Sequence, residues 1–223
     1  MSWWPAVLLS LQLASVTTVL LLLLATPLAW WLARTRRKWA AVVEAVVALP
    51  LVLPPTVLGF YLLLALGAQG VIGGPWSALT GSPLTFTFTG LVIASLVYSL
   101  PFVVQPLQNA FVAVGHKPLE AAWCLRAGKL DTFWHVVMPL ALRGYVTAAV
   151  LGFTHTLGEF GVVLMVGGSI PGQTQVLSIA IYERVEVLDY ASAHALSAGL
   201  LAFTMVVLIL VYVMNRRFPA HEH

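Results

Sequence analysis

Charged residues are scarce in this sequence: they make up 9% of its 223 residues, whereas 60% of the residues are hydrophobic. A soluble domain carries about 25% charged residues to cover its surface. The shortage of charge therefore excludes an ordinary water-soluble domain and predicts an all-α polytopic membrane protein. The net charge of +3 is small, and since the basic residues follow the predicted topology, no nucleic-acid partner is expected.

Cysteine and the signatures of common enzymes are also lacking. The single cysteine, Cys124, excludes an intrachain disulfide. The sequence has no phosphate-binding loop GxxxxGK[ST], so it does not hydrolyse ATP by that route, and it has no HExxH or GxSxG motif. The terminal His-Glu-His at 221–223 is interpreted as a solvated tail. Neither a metal nor a cofactor is expected.

Five apolar segments are long enough to cross the bilayer, whose hydrocarbon core of about 30 Å takes roughly 20 helical residues. Basic residues near helix ends stay in the cytoplasm. Of the eleven Lys and Arg residues, only Arg184 falls on the opposite side, so the N-terminus is predicted outside and the C-terminus inside. The sequence thus predicts one transmembrane domain over 1–223 with spans at about 6–33, 46–66, 89–112, 140–165 and 193–214.

Prolines interrupt the second and third of these spans. Each proline removes a backbone donor and clashes with the preceding turn, so both helices are expected to kink. Irregular backbone at membrane depth is tolerated only where protein or a watery cavity satisfies the freed carbonyls. Packing alone is the alternative explanation, but five prolines in two helices favour a transport pathway. They are Pro50, Pro54, Pro55, Pro101 and Pro106.

A polar passage, residues 115–139, separates the third and fourth spans. Pro118 suits the first position of a helix, Glu120 lies in its first turn, and Gly128 suits its end. Asp131 is expected to cap a second short helix, which Pro139 ends. This pattern predicts a cytoplasmic helix-turn-helix. It is compatible with a docking surface for another protein and with an elbow packed on its own bundle, and it does not decide between them.

The passage resembles the EAA loop of ABC-importer permeases, in which Glu-Ala-Ala is followed by a glycine pair and then Leu-Pro. Two positions depart from the pattern: Arg126 replaces the first glycine and Met138 replaces the leucine. The resemblance implies a coupling helix that docks on a separate cytoplasmic ATPase subunit. The residues that it assigns to ATPase coupling are Glu120, Ala121, Ala122, Gly128 and Pro139.

Three further stretches, at 48–64, 156–174 and 177–197, resemble permeases for molybdate and its close relatives. This resemblance implies a permease of the inner membrane that moves molybdate by alternating access and is not itself an enzyme. It implies a permease homodimer, two ATPase subunits and an extracytoplasmic oxyanion-binding protein as partners. Tungstate and sulfate or thiosulfate are the alternative substrates.

The sequence also allows two other classes of function. An intramembrane enzyme could be built on Glu44, His155 and Glu159, although no catalytic signature supports it. A structural subunit without a pathway is opposed by the proline-broken helices and the coupling loop. For a pathway, the candidates are Thr154 and Thr156, which offer hydroxyls to a passing anion, and Glu159, because an ionisable residue inside a membrane has to pair or face water.

Residues 177–188 carry apolar side chains along one stripe, which predicts an amphipathic helix on the outer surface. Glu183, Glu186 and Asp189 lie off that stripe. This acidic face is interpreted either as a solvated face or as part of a docking surface for an extracytoplasmic binding protein.

The charge asymmetry can be tested with reporter fusions. A reporter that is active only in the cytoplasm is expected to work when fused after Arg217 or near Lys129, and to fail when fused near Gly70 or Gly172. The opposite result at any of the four positions would refute the five-span topology.

Overall fold

The computed structural model describes the backbone of residues 3–217 and the side chains of residues 3–213. Residues 1–2 and 218–223, which include the terminal His-Glu-His, lie outside the described residues. Within 3–217 the regular structure is helical, with no strand. The α-helices are α1 (Trp4–Arg34), α2 (Ala40–Val52), α3 (Pro55–Leu66), α4 (Gly73–Thr80), α5 (Phe88–Val114), α6 (Lys117–Cys124), α7 (Lys129–Thr132), α8 (Met138–Leu140), α9 (Leu142–Gly158), α10 (Gly161–Gly167), α11 (Leu177–Glu186) and α12 (Tyr190–Arg217).

Three of these helices, α1, α5 and α12, are long and apolar enough to span a membrane. Two bent pairs pass the same test: α2 with α3, bent by 113°, and the segment Lys129–Leu140 with α9, bent by 71°. The described residues therefore hold three candidate spans, or up to five if each bent pair crosses once. The all-helical class is confirmed, whereas the number of five crossings and their orientation remain predictions.

The second predicted span is longer than expected and broken. Its helical part begins at Ala40, six residues before the predicted start, and α2 ends at Val52. Pro54 has an extended backbone and precedes Pro55, the first residue of α3. Proline at a first helical position has no donor to lose, so two prolines end one helix and start the next. The kink predicted for this span is confirmed, whereas α5 continues as one helix through Pro101 and Pro106.

The fourth span is not the single helix predicted over 140–165. The helix α9 ends at Gly158, Glu159 is extended, and α10 begins at Gly161. The Glu159 carboxylate accepts a hydrogen bond from the backbone N–H of Val162 at 3.1 Å. This bond satisfies one of the free donors at the start of α10, so the glutamate stabilises the break between the two helices. The hydropathy pattern did not predict this break.

The helices enclose two apolar clusters. Helix α1 packs against α5 and α9, and α10 packs against α3 and α5. One cluster contains Leu13, Leu66 and Leu91, and the other contains Leu21, Val103 and Phe111, all of them buried. Along α5 the first cluster ends at Tyr98 and the second begins at Val103, so the residues between them lie near the middle of the bundle.

Glycines allow α5 and α9 to approach closely. A Cβ atom added at Gly144 would lie 2.2 Å from Cβ of Ala110, and one at Gly152 would lie 2.7 Å from Cγ2 of Val103. Such separations are far inside van der Waals contact. Small residues at helix crossings are the usual means by which membrane helices bring their backbones together.

The contact at Gly144 predicts that alanine lowers the stability of the protein more at this position than at Gly199. Gly144→Ala is expected to destabilise the protein by about 1 to 3 kcal/mol, because the added methyl group overpacks the α5–α9 crossing. Gly199→Ala is the matched control, since a Cβ there meets nothing within 4 Å in this chain and alanine favours a helix. Thermal unfolding in detergent measures both variants, and equal shifts in Tm would contradict the packing argument.

Candidate functional site

A layer of polar side chains lies between the two apolar clusters. Ser99 Oγ is 3.0 Å from Nδ1 of His155 and 3.0 Å from Oγ1 of Thr156. On the same helix, the Ser95 hydroxyl donates to the Tyr98 hydroxyl at 3.4 Å. The bonds of Ser99 join α5 to α9, and all of these bonds satisfy polar groups that the bundle removes from water.

This polar layer borders a cavity of about 210 Å³ at the break between α2 and α3. Pro50 and Pro55 form one side of the cavity, and His155 and Glu159 lie on another. Phe102 also lines it and stacks on the His155 ring with a centroid distance of 3.7 Å. One water occupies roughly 30 Å³ of liquid volume, so the cavity has room for several waters beside the interrupted backbone.

The three candidate pathway residues do not converge on the cavity. Glu159 borders it, and its backbone carbonyl accepts a hydrogen bond from Ser178 Oγ at 2.7 Å. Thr156 is buried and bonds Ser99 instead, and the Thr154 hydroxyl donates to the carbonyl of Val150 in its own helix at 2.7 Å. Only Glu159 is therefore placed where a solute in this cavity would meet it.

The sequence reasoning missed Tyr98, Ser99 and Phe102. A signal was present, because Ser95 and Ser99 are four residues apart in an apolar helix just before Pro101. That spacing puts two hydroxyls on one face of a helix. Their partner across the bundle, His155, lies 56 residues away along the chain from Ser99, so the spacing alone does not identify it.

The residues of the enzyme alternative are not assembled. The Glu44 carboxylate is held by Nε2 of Gln108 at 2.7 Å in an exposed position, and Glu44 does not line the cavity. His155 and Glu159 both border it, without a hydrogen bond between their side chains among the described residues. The geometry therefore gives no support to catalysis by this trio.

The loop at 115–139 has an inward and an outward face. Leu119 and Ala122 of α6 are buried, and Leu119 belongs to the cluster around Phe111. Glu120 and Ala121 on the same helix are exposed. The two alanines of the motif consequently have different surroundings: Ala122 packs inward, and only Ala121 is available to another protein.

Details of the loop differ from the sequence prediction. Helix α6 ends at Cys124 rather than at Gly128, which has a negative φ and instead precedes α7. Asp131 lies inside α7, where its carboxylate contacts Nδ1 of His135 at 2.7 Å, so it does not cap the second helix. Pro139 does not end a helix either, since it lies within α8 after a π-helical segment, Phe133–Val137.

The sharp turn occurs at Arg126, which has φ of +61°. This is the left-handed region, where a side chain is strained and glycine is not. Arg126 is also the position at which the ABC-importer pattern has its first glycine. The arginine therefore adopts the backbone conformation that glycine favours.

Large apolar side chains are exposed on the outward face of the loop. Leu125 is 84% exposed and Leu130 is 77% exposed. We define the loop surface as these two residues together with Trp123 and Trp134, which are also exposed. Exposed large apolar side chains of this kind mark a contact with protein or with the membrane surface. The elbow is thus packed on its own bundle through one face and presents an apolar surface through the other.

Helix α11 lies at the opposite end of the bundle, and its bounds are close to those of the amphipathic helix predicted at 177–188. The carboxylate of Glu183 accepts hydrogen bonds from Ser169 and from Gln175, the latter at 2.6 Å. Hydrogen bonds from Ser192 lower the pKa of Asp189, and Arg184 adds a smaller effect of the same sign. Glu186 is hydrogen-bonded to Tyr182, so all three acidic residues on this face have structural partners.

Solved structures share this arrangement of helices. The chain superposes on the crystal structure of a bacterial ABC transporter involved in the import of the acidic polysaccharide alginate with a TM-score of 0.73. The match covers 97% of this chain and 79% of that one, at 16% identity. A second structure, of a bacterial alginate ABC transporter in complex with its pentasaccharide-bound periplasmic protein, gives a TM-score of 0.72 at 17% identity. The chain therefore shares its fold with a chain of these two transporter structures.

The sequence comparisons define the family more narrowly. The family described as binding-protein-dependent transport system inner membrane component matches residues 25–220, and the chain belongs to it. The molybdenum transport system permease protein ModB of Azotobacter vinelandii is 59% identical over 96% of this chain and 95% of its own length. ModB of Escherichia coli K12 is 36% identical over 82% and 80% of the two chains. A probable sulfate permease, cysT of Zygnema circumcarinatum, is 32% identical over 92% and 71%.

The backbone at Arg126 generates a prediction. Arg126→Gly is expected to stabilise the protein by about 1 kcal/mol, because glycine adopts a positive φ without strain. Arg36→Gly is the matched control, since Arg36 is also exposed outside a helix but does not have a positive φ. Thermal unfolding compares the two. A loss of stability in Arg126→Gly as large as that in the control would show that the turn carries no strain.

Proposed function

We propose that this protein is the membrane subunit through which an ATP-driven importer moves molybdate into the cell by alternating access. The observation that carries the proposal is the 59% identity to the Azotobacter vinelandii molybdenum permease over nearly the whole of both chains. The fold agrees with it, because the structural neighbours are importers of the same architecture. Family membership makes the chain a transport component rather than an enzyme.

Molybdate is favoured over sulfate as the substrate. The relatives named for molybdenum reach 59%, 38% and 36% identity, whereas those named for sulfate reach 33%, 32% and 31%. Tungstate is a tetrahedral dianion of the same kind as molybdate, so a competition assay has to separate the two.

The cavity at the broken helices suits passage of an anion better than storage. The described residues that line it include one carboxylate, Glu159, and no lysine or arginine. A dianion in a site of low polarity needs opposing charges or several donors, and its burial is very costly without them. Weak binding is also what release on the other side requires. Selection is therefore assigned to an extracytoplasmic binding protein.

Energy is assigned to a separate ATPase that contacts the loop surface. The chain has no phosphate-binding loop of its own. The apolar groups at Leu125, Leu130 and Trp134 would be covered when the two subunits associate. Movement of the ATPase would reach α5 through Leu119, whose side chain packs in the cluster that contains Phe111. Of the residues assigned to ATPase coupling, 120–122 directly follow Leu119 in α6, and 128 and 139 lie further along the same loop.

A second copy of the chain is proposed to complete the pathway. Helix α12 leaves apolar side chains such as Leu201, Met205 and Leu210 exposed. Lipid covers such a surface as readily as another subunit does, so this exposure alone does not identify the dimer contact. The homodimer is proposed on the resemblance to ABC-importer permeases.

The coupling assignment is tested at Ala121. A phenylalanine there would obstruct the loop surface without entering the core, so Ala121→Phe is expected to cut ATP-dependent molybdate uptake by about tenfold, the equivalent of about 1.4 kcal/mol of docking energy. Uptake is measured in vesicles that contain permease, ATPase and binding protein. Glu120→Lys should act in the same direction.

Ala41→Phe is the matched control, because Ala41 is an exposed alanine of α2 outside the loop. It is expected to leave uptake and ATPase co-purification unchanged. Normal uptake by Ala121→Phe, with the ATPase retained at wild-type yield, would refute the docking assignment. In the same assay, competition by excess sulfate as strong as that by excess molybdate would refute the substrate assignment, and tungstate provides the third comparison.

A further inference from the structure

Helix α11, which has ten residues and is too short to be a candidate span, contacts the break between α9 and α10. The Ser178 hydroxyl donates to the carbonyl of Glu159 at 2.7 Å, and the Tyr182 ring lies against the Phe160 ring with a centroid distance of 4.7 Å. Ser178 and Tyr182 are four residues apart, which places their side chains on one face of the helix. One face of α11 therefore contacts both residues of the break.

The bond from Ser178 satisfies an acceptor that the break leaves free. Glu159 has an extended backbone, and no backbone N–H of the described residues donates to its carbonyl. A carbonyl without a partner is costly inside a membrane protein. The side chain of the same residue caps α10 at the N–H of Val162. Because carbonyl and carboxylate belong to one residue, the bond that fixes the carbonyl also restricts where the carboxylate lies.

The same segment also contacts the other break, at the start of α3. A Cβ atom added at Gly161 would lie 2.8 Å from Cβ of Pro55, so the two backbones approach closely there. Pro55 and Glu159 both line the cavity of the candidate pathway. Residues 159–161 thus contact α11 and α3 at once, and a shift of this segment would change the cavity at both breaks.

Helix α11 is itself held at several points. The N–H of Leu177 donates to Ser10 Oγ of α1 at 2.7 Å, which satisfies one of the free donors at the start of α11. The carboxylate of Glu183 accepts from Ser169 and Gln175, which lie between α10 and α11. These bonds join α11 to α1 and to the preceding loop. The helix is therefore a fixed support against which the break can be held.

We propose that Ser178 and Tyr182 are positioning residues for transport. They hold residues 159–161 so that the Glu159 carboxylate stays on α10 and the cavity keeps the shape through which an anion passes. The inference rests on the proposed function, because it takes this cavity as the pathway. Neither residue is among the described lining of the cavity, so both act through the break and not by contact with the anion.

Hydrogen exchange at the Val162 amide tests the positioning without any substrate. That amide donates to the Glu159 carboxylate, so its exchange rate reports whether the cap is in place. The full-length permease is measured in detergent, and exchange is located by fragmentation mass spectrometry. Ser178→Ala is expected to speed exchange at Val162 by about threefold to tenfold, the change expected for loss of one hydrogen bond. Ser178→Thr keeps a hydroxyl and should restore slow exchange.

Uptake tests the consequence for transport, in vesicles that contain permease, ATPase and binding protein. Ser178→Ala is expected to lower the maximal rate of molybdate uptake per assembled complex by about threefold to tenfold. The half-saturating concentration should not change, because it is assigned to the binding protein. Tyr182→Leu removes the ring contact and should act in the same direction in both assays. Tyr182→Phe keeps the ring and should retain at least about half of the wild-type rate.

Ser77→Ala is the matched control, because the Ser77 hydroxyl donates to the carbonyl of Gly73 within its own helix, α4, and does not line the cavity. It should leave exchange at Val162 and uptake within about twofold of the wild type. Equal effects of Ser178→Ala and Ser77→Ala would overturn the proposal. Faster exchange spread evenly over α9 and α10 would also overturn it, since that pattern indicates a general loss of stability. So would unchanged uptake beside faster exchange at Val162.

Failure of the proposed function would give a different result. A wild-type protein that does not import molybdate, while exchange at Val162 still depends on Ser178, would refute the molybdate assignment and support the positioning of Glu159. If Ser178→Ala does not fold, the comparison of Tyr182→Leu with Tyr182→Phe decides in its place. Equal exchange at Val162 in those two variants would overturn the role of the ring contact.

Discussion

The structure depends on one constraint: backbone groups that a broken helix frees within a bilayer have to find partners inside the protein. The two breaks, at Pro54 and at Glu159, both border the cavity of the candidate pathway. At the second break the carboxylate of Glu159 accepts from Val162, and its carbonyl accepts from Ser178. Glu159 therefore stabilises the break, and it also provides the single carboxylate among the described residues that line the cavity.

The polar layer beside that cavity holds the bundle together across its middle. Ser99 contacts both His155 and Thr156, and Gly152 on α9 lets α5 approach closely just below them. Thr156, expected to face a pathway, is needed for this contact instead. Thr156 is thus part of the helix packing beside the cavity, although its position in the sequence had predicted contact with a pathway.

The loop at 115–139 has one face packed against the bundle and one face exposed. Its inward face reaches the core through Leu119, while Leu125 and Trp134 remain exposed. Of the two interpretations that the sequence left open, the packed elbow describes the inward face, and the outward face is the one proposed for docking. Arg126 makes the turn between the helices of the loop with a positive φ, which is a strained conformation for arginine. The loop therefore keeps this turn geometry although the residue there is not glycine.

Hydropathy by itself determined the all-helical membrane class, because about 20 apolar residues in succession have few other solutions. The prolines predicted a kink in the second span, without its position, since proline acts on its own helix. Tertiary structure decided the rest. The bond from Ser178 to the carbonyl of Glu159, the different surroundings of Ala121 and Ala122, and the pairing of Ser99 with His155 all depend on neighbours distant in the chain. A hydropathy pattern records how apolar each residue is, and it does not record which face another helix will cover.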